Sequence, residues 1–227
     1  MKTRRPDIDF FSRYWRSDTG YRRHHQYHWF THICRTDLFN ILEHRPAGPC
    51  VEIGPGRGST LPRESDPADV YLDILPWLLT RGSGVVADAQ RLPFRNSSVA
   101  AFWGQTICMH LSWLHVLEEC FKCARDGGII AFIEPLRDNP IVRIFRRIDP
   151  ARKSNPHYLS HQGLEELGER FGIPQVKPYF LLSPIVLPLT RKHNAIVRSL
   201  QSIDAFLLGQ YPHLHRYAWY ATICWKT

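Results

Sequence analysis

A glycine-rich turn with an acidic residue at its start is the segment of this sequence best suited to ligand chemistry. It reads Glu52-Ile-Gly-Pro-Gly-Arg-Gly58 and includes the end of a short apolar run, residues 49–53, that predicts a β-strand. Glycine lets the backbone turn tightly and lets a ligand approach without obstruction by a Cβ atom. A plain strand-to-helix turn also uses glycine, so this turn alone does not define a site.

Two aspartates lie at the ends of the next two predicted strands. Asp73 lies near the end of an apolar run at 70–74, and Asp88 follows another run at 84–87. A carboxylate at the second strand end can accept hydrogen bonds from both hydroxyls of a ribose. Asp88 is placed to meet the exocyclic amine of an adenine. Together with the glycine turn, these carboxylates predict a binding site for a ligand that contains adenosine.

The elements that must position these residues form an alternating pattern of strands and helices between residues 49 and 135. Further strands are predicted at 99–103 and 129–133, with a helix at 114–124 between them. Such alternation predicts a parallel sheet, in which ligands bind beyond the carboxyl ends of the strands. A helix at 195–208 follows, with an apolar stripe formed by Ile196, Leu200, Ile203 and Leu207. Residues 216–225 predict an aromatic final strand.

Three segments resemble the successive signatures of class I S-adenosylmethionine-dependent methyltransferases: residues 50–58, Tyr71-Leu-Asp-Ile74 and Ala87-Asp-Ala-Gln-Arg-Leu-Pro-Phe94. The last of them is typical of the small-molecule branch that includes ubiquinone-biosynthesis-like enzymes. The resemblance implies an α/β fold with a Rossmann-like, seven-stranded, mostly parallel sheet. Helices would cover both faces, and the last strand would insert antiparallel beside the fifth.

The resemblance also implies S-adenosylmethionine as the cofactor. The residues expected to bind it are Glu52, Gly54, Gly56, Gly58, Asp73, Ile74, Asp88, Ala89 and Gln105. The acidic glycine turn would contact the methionine part, and Asp73 would hold the ribose. Asp88 and the Ala89 amide would contact the adenine, and Gln105 would lie near the site of transfer. Residues 62 and 67 are prolines, which predicts a short or broken first helix after the turn.

Transfer to a hydroxyl group is helped by a general base, for which histidine and carboxylate are suitable at neutral pH. Three residues are candidates at the carboxyl ends of the strands: His110 follows the fourth predicted strand, Glu134 follows the fifth, and His157 lies in the loop beyond. Glu134 has an alternative as a structural carboxylate that pairs with an arginine, and His157 has one as a helix cap. O-methylation of a small molecule in a biosynthetic or tailoring pathway is the favoured function.

Other enzyme classes fit the motifs less well. A dinucleotide oxidoreductase would place Glu52 against an anionic pyrophosphate, and no lysine follows the glycines as nucleotide hydrolysis requires. The Asn/Asp-Pro-Pro-aromatic run of base-modifying enzymes is missing after strand four, so nucleic acid is disfavoured. Two alternatives remain: a protein that binds S-adenosylmethionine without transferring a methyl group, and an RNA methyltransferase.

Composition limits the remaining choices. The chain has 227 residues and a formal net charge of +8, which favours acidic or phosphate-bearing partners. A helical cap is predicted at 1–46 and a methyltransferase domain at 47–227, with a basic and apolar insertion at about 136–212. We expect a cytoplasmic protein with no transmembrane segment and no signal peptide, whose acceptor is a small, anionic or lipid-like molecule. Peripheral membrane contact and the oligomeric state remain open.

Two clusters of possible metal ligands, one of histidines and one of cysteines, have explanations without a metal that we prefer. The histidines His24, His28 and His32 share one helical face and suggest a metal, but a lid helix explains them better, and no metal is expected. The pair Cys120 and Cys123 lacks the second pair that a zinc site needs. In the basic segment 139–149 the arginines lie at helical spacing opposite isoleucines, which predicts a solvated basic face or a rim for anions.

Overall fold

A single seven-stranded sheet forms the centre of the molecule. The computed structural model describes residues 8–17, 30–56, 67–80, 82–148, 157–188 and 194–227. The strands are β1 (Cys50–Ile53), β2 (Val70–Asp73), β3 (Ser83–Val86), β4 (Val99–Gln105), β5 (Ala124–Pro135), β6 (Gln175–Tyr179) and β7 (Tyr220–Lys226). Their order across the sheet is β3-β2-β1-β4-β5-β7-β6.

The direction of the strands confirms the predicted topology. Strands β1 to β5 pair in parallel, whereas β7 is antiparallel to both of its neighbours, β5 and β6. In register, Ile53 of β1 lies beside Leu72 of β2 and Gly104 of β4. The carboxyl ends of β1 to β6 therefore meet at one edge of the sheet, called here the carboxyl edge.

Helices cover both faces of the sheet, because residues alternate between the two faces along each strand. The helices of the described residues are α1 (Ile8–Arg16), α2 (His32–Leu42), α3 (Trp113–Cys123), α4 (Pro140–Ile148), α5 (His161–Phe171) and α6 (Ala195–Gln210). One core joins α3 and α5 to side chains such as Phe102 and Phe132. The other core joins α2, α4 and α6 to side chains such as Trp103 and Ile133.

Two of the predicted apolar stripes are only partly buried. In α6 Leu200 and Leu207 pack against the core as predicted, whereas Ile196 is 64% exposed and Ile203 is 47% exposed; the buried side chains are Val197, Asp204 and Leu208. The helix is rotated because the Asp204 carboxylate accepts hydrogen bonds from three backbone amides of the loop after β6. In α4 the buried residue is Val142, and Ile144 is 56% exposed.

All six cysteines are buried as free thiols. In the part of the chain that the structure describes, no three histidine, cysteine or acidic side chains group as metal ligands. His24, His28 and the segment 57–66, with its predicted short helix, lie outside the described residues. No helix among the described residues is both long and apolar enough to cross a bilayer.

Candidate functional site

The turn after β1 has the backbone conformation that its glycines allow. Gly54 has φ +69° and Gly56 has φ +60°, both in the left-handed region. A Cβ atom at Gly54 would lie 2.8 Å from Cδ1 of Ile107, in the loop after β4. The Gly54 amide donates to the Leu72 carbonyl of β2 at 2.8 Å. The turn is thus tightly packed between the ends of its two neighbouring strands. Gly58, the last predicted ligand of this turn, lies outside the described residues.

Asp73 joins this turn to the end of β2. Its side chain is buried, and Oδ1 accepts a hydrogen bond from the Leu75 amide at 2.9 Å. The amides of Gly56 and Ile74 also donate to this carboxylate. Burial raises the pKa of the Asp73 carboxyl above its usual value, although these hydrogen bonds oppose the shift. The structure therefore brings the predicted ribose ligand together with the predicted glycine turn.

Asp88 lies in the loop after β3, at the same edge of the sheet. Its Oδ1 accepts a hydrogen bond from the Gln90 amide at 2.9 Å, and the Gln90 side chain lies 3.3 Å from the same oxygen. Gln90 in turn accepts from the Ser112 amide at 3.2 Å, which ties this loop to the start of α3. The backbone N–H of the buried Ala89 donates no hydrogen bond within the described part of the chain.

Glu52 is buried in β1 beside an arginine that the sequence did not single out. Arg35 of α2 is only 3% exposed, and its charge interacts favourably with the Glu52 carboxylate. Burial lowers the pKa of the Arg35 guanidinium, and Glu52 opposes this shift. An arginine between the apolar residues Cys34 and Leu38 is the signal that could have revealed it. Glu52 and Arg35 are thus two buried residues of opposite charge that interact electrostatically at β1.

Gln105 ends β4 and contacts the N-terminal segment. Its Nε2 donates to Oγ1 of the buried Thr31 at 2.9 Å, just before α2. The side chain is partly exposed, and the loop after it contains Thr106 with φ +58°. Gln105 therefore lies at the carboxyl edge, as predicted, and is held there by a residue 74 positions earlier in the chain.

Glu134 holds the loop after β4 in place. It is 1% exposed at the end of β5, and its carboxylate accepts from the amides of Ile107 at 2.7 Å, Cys108 at 2.8 Å and Met109 at 3.3 Å. Burial raises the pKa of the Glu134 carboxyl to about 7. The predicted alternative was a structural carboxylate paired with an arginine. The contacts are structural, but the partners are backbone amides.

His110 and His157 both lie at this loop. His110 ends the 3₁₀ turn Cys108–His110, and its ring meets the Phe11 ring edge to face at a centroid distance of 4.7 Å. His157 is exposed, and its backbone amide donates to the Met109 carbonyl at 2.8 Å. The three residues predicted as candidate bases are thus gathered around one turn. Their catalytic roles remain a prediction.

Helix α1 lies across the carboxyl edge, which the sequence indicated only as a cap. A Cβ atom at Gly56 would lie 2.8 Å from the Trp15 ring. The Arg16 guanidinium lies 5.3 Å from the centre of the Trp77 ring, in the 3₁₀ turn Pro76–Leu78 after β2. With the Phe11–His110 contact, α1 touches the loops after β1, β2 and β4. It therefore covers the space between the predicted cofactor and acceptor sites.

Comparison with known proteins identifies the fold. No protein-family model matches the sequence, and no curated protein matches it. A S-adenosylmethionine-dependent methyltransferase from Archaeoglobus fulgidus is similar in structure, with a TM-score of 0.59 and 14% identity over 89% of this chain and 94% of that one. The chain therefore has the fold of these methyltransferases. Membership of the ubiquinone-biosynthesis-like branch remains a prediction.

Two structures with named acceptors share the same fold. Geranyl diphosphate C-methyltransferase from Streptomyces coelicolor has a TM-score of 0.55 and 13% identity, over 85% of this chain and 80% of that chain. Phosphoethanolamine N-methyltransferase 2 from Haemonchus contortus has a TM-score of 0.62 and 11% identity, over 95% of this chain and 58% of that chain. At these identities the likeness concerns the fold.

Proposed function

We propose that this chain binds S-adenosylmethionine at the carboxyl edge and transfers its methyl group to a small-molecule acceptor. The observation that carries the proposal is the buried Asp73 carboxylate, which closes β2 and accepts a hydrogen bond from the Gly56 amide. This arrangement sets an acceptor of hydroxyl hydrogen bonds beside a turn without side chains. A ribose needs such a carboxylate, and the amino acid part of the cofactor needs such a turn.

The chemistry of the surrounding residues fits this cofactor. The Asp88 carboxylate would accept a hydrogen bond from the adenine amine, and the Ala89 amide would donate to the ring. Glu52 and Arg35 carry opposite charges, which suit the ammonium and carboxylate groups of a methionine. When bound, the cofactor would supply a methyl group activated by its sulfonium. The protein must align the acceptor with that group and exclude water.

His110 is the base that the geometry favours for a hydroxyl acceptor. It lies on the turn that Glu134 holds by three amides, and it faces the Phe11 ring of the covering helix α1. An imidazole in that place can take a proton from an acceptor hydroxyl and release it to water afterwards. The Glu134 carboxylate acts on the turn that carries His110, through three backbone amides, so we assign it the role of a positioning residue.

The acceptor is best sought among anionic molecules. The two similar enzymes described above act on geranyl diphosphate and on phosphoethanolamine, both of which carry phosphate. In this chain, α4 begins just after the carboxyl end of β5 and bears Arg143, Arg146 and Arg147. Guanidinium groups bind phosphate and carboxylate groups well. We therefore propose an acceptor with a phosphate or carboxylate group, methylated on oxygen in preference to nitrogen or carbon.

Calorimetric titration with S-adenosylmethionine and with its demethylated product tests the cofactor site. Wild type should bind both, and Asp73→Ala should weaken binding on the order of a hundredfold because two charged hydrogen bonds to the ribose are lost. Asp88→Ala should weaken binding without disturbing the glycine turn. The matched control, Asp126→Ala, removes an exposed carboxylate from the opposite edge and should bind like wild type.

Each outcome separates the remaining functions. Absence of binding by folded wild-type protein overturns the proposal. Binding without transfer of labelled methyl to any anionic acceptor supports a protein that uses the cofactor for another purpose. Transfer to RNA, with an affinity for RNA that falls steeply with salt, supports the RNA methyltransferase alternative.

A further inference from the structure

Four elements beside the carboxyl edge carry positive charge without exposed negative charge. They are α4 with the preceding Asn139, the segment 180–188 that contains the 3₁₀ turn Ser183–Val186, α6, and the 3₁₀ turn Pro212–Tyr217. We call their outer surface the basic apolar face. Its arginines are Arg143, Arg146, Arg147, Arg198 and Arg216. The one acidic residue in these elements, Asp204, is buried and bound to three amides.

The four elements form one continuous surface. The turn Ser183–Val186 packs against both α4 and α6, and α6 packs against the turn Pro212–Tyr217. Asn139, just before α4, links α4 to two of the other elements on their buried side, because its Nδ2 donates to the carbonyls of Leu181 at 3.0 Å and Tyr217 at 2.8 Å. The surface therefore keeps its arrangement without support from a bound partner.

Large apolar side chains are exposed on every one of these elements. Ile185 is 53% exposed and Phe206 is 63% exposed, and the others are Ile144, Leu182, Ile196, Ile203, Tyr211 and Tyr217. Single exposed apolar residues are ordinary, but a group of eight on adjoining elements indicates a surface that binds something.

The charges of this face remain available to a partner. Among the described residues, none of Arg143, Arg147 and Arg198 forms an ion pair with a carboxylate. The acidic residue that precedes α4, Asp138, pairs with Arg137 at 3.1 Å. Arginines interleaved with isoleucine and aromatic side chains match an anionic lipid surface, whose charge is spread out and whose interior accepts apolar groups.

We infer that the basic apolar face docks the protein on an anionic lipid bilayer. Arginines would contact lipid phosphates while Ile185, Phe206 and their neighbours enter the boundary between headgroups and acyl chains. Arg146 shows how close this face comes to the candidate site, since it donates to the Leu136 carbonyl at 2.9 Å, just after β5. Docking would thus bring the carboxyl edge near lipid. This inference does not depend on methyl transfer, because vesicle binding needs neither cofactor nor acceptor, although the arginines of α4 are also those proposed above to bind the anionic group of the acceptor.

Sedimentation with lipid vesicles tests the inference on the full chain without cofactor. Wild type should bind vesicles in which about a third of the lipid is phosphatidylglycerol, should not bind pure phosphatidylcholine vesicles, and should dissociate as salt rises. The double variant Arg143→Gln/Arg147→Gln should bind anionic vesicles roughly tenfold less tightly. The pair Ile185→Ser/Phe206→Ser should also bind about tenfold less tightly, because apolar area is no longer buried.

Matched variants distinguish binding by this face from attraction by the net charge of the protein and from nonspecific binding through exposed apolar residues. Arg91→Gln/Arg95→Gln removes two exposed arginines from the loop after β3, and Ile173→Ser removes an exposed isoleucine after α5; both should bind vesicles like wild type. Equal loss in the two arginine pairs would mean that net charge alone attracts the protein and would overturn the inference. The inference would also be overturned if the folded wild type did not bind anionic vesicles, whether or not it binds RNA or an acidic protein instead.

Discussion

The two halves of the carboxyl edge are built in different ways. At the ends of β1, β2 and β3, backbone turns and carboxylates lie close together in the chain, as Asp73 and the Leu75 amide show. At the ends of β4, β5 and β6, side chains bridge distant segments: Asn139 reaches Tyr217, and Gln105 reaches Thr31. The first half is therefore organised largely by hydrogen bonds between neighbouring residues, with Gln90 and Ser112 joining it to α3, whereas the second depends on single buried polar groups that bridge distant segments. Under the proposed function, the first half would hold the cofactor and the second the acceptor.

The largest effect should follow from removing Asn139. Its Nδ2 donates to the carbonyls of Leu181 and Tyr217, and its Oδ1 accepts from the Val142 amide, so Asn139→Ala would leave these three backbone groups without this partner. We expect the free energy of unfolding to fall by roughly 4 kcal/mol, measured by urea denaturation. Asn40→Ala, at an exposed position of α2, is the control and should change stability by less than about 0.5 kcal/mol. A small effect at Asn139 would show that the second half does not depend on such groups.

Glu134 should make the free energy of unfolding depend on pH. The folded state raises its pKa from 4.5 to about 7, so the folded protein holds this proton more tightly than the unfolded chain does. Stability from this group is present below pH 4.5 and is lost as pH rises through 7, on the order of 3 kcal/mol in all. Urea unfolding at several pH values should show this decline in wild type but not in Glu134→Gln. Parallel pH profiles of the two proteins would contradict the raised pKa.

His110 should affect the reaction but not the cofactor site. If the acceptor is a hydroxyl, His110→Ala should lower the rate of methyl transfer about a hundredfold, or roughly 2.7 kcal/mol, because a base is lost. Its affinity for S-adenosylmethionine should stay within about twofold, since this side chain lies in the second half. His157→Ala is the comparison, and we expect its rate within about threefold of wild type because the His157 side chain is exposed. Equal losses of the methyl transfer rate in both variants would contradict the assignment of His110 as the base.

Trp15 should have the smallest of these effects. Its ring lies over Gly56, so Trp15→Ala should open the cover of the glycine turn. We expect S-adenosylmethionine to dissociate about tenfold faster, with little change in its association rate. Stopped-flow fluorescence would measure both rates. Arg13→Ala changes an exposed residue of the same helix and should leave them unchanged. Tighter binding by Trp15→Ala would mean that the ring obstructs the site.

The sequence predicted the first half well because its signals are local. Glycines after a β-strand and aspartates at the next two strand ends occupy the positions that spacing indicated. Alternation predicted the parallel sheet, and the family resemblance implied the antiparallel last strand. The apolar stripe of α6 was wrong at Ile196 and Ile203 because hydrophobic spacing treats every aspartate as exposed, whereas Asp204 is buried to hold three amides. Thr31 and Trp15 join the site through long-range contacts that no local pattern encodes.

The position of β7 affects how the protein can be made. This strand emerges from the ribosome after the other six, yet it lies between β5 and β6 in the finished sheet. Strand β6 pairs with β7 alone among the described strands, so it has no place in the sheet until residues 220–226 have been synthesised. Strands β1 to β5 can assemble on the growing chain, but β6 must wait for β7 before it can join the sheet. Cleavage before Tyr220 would therefore remove two strands from the sheet rather than one.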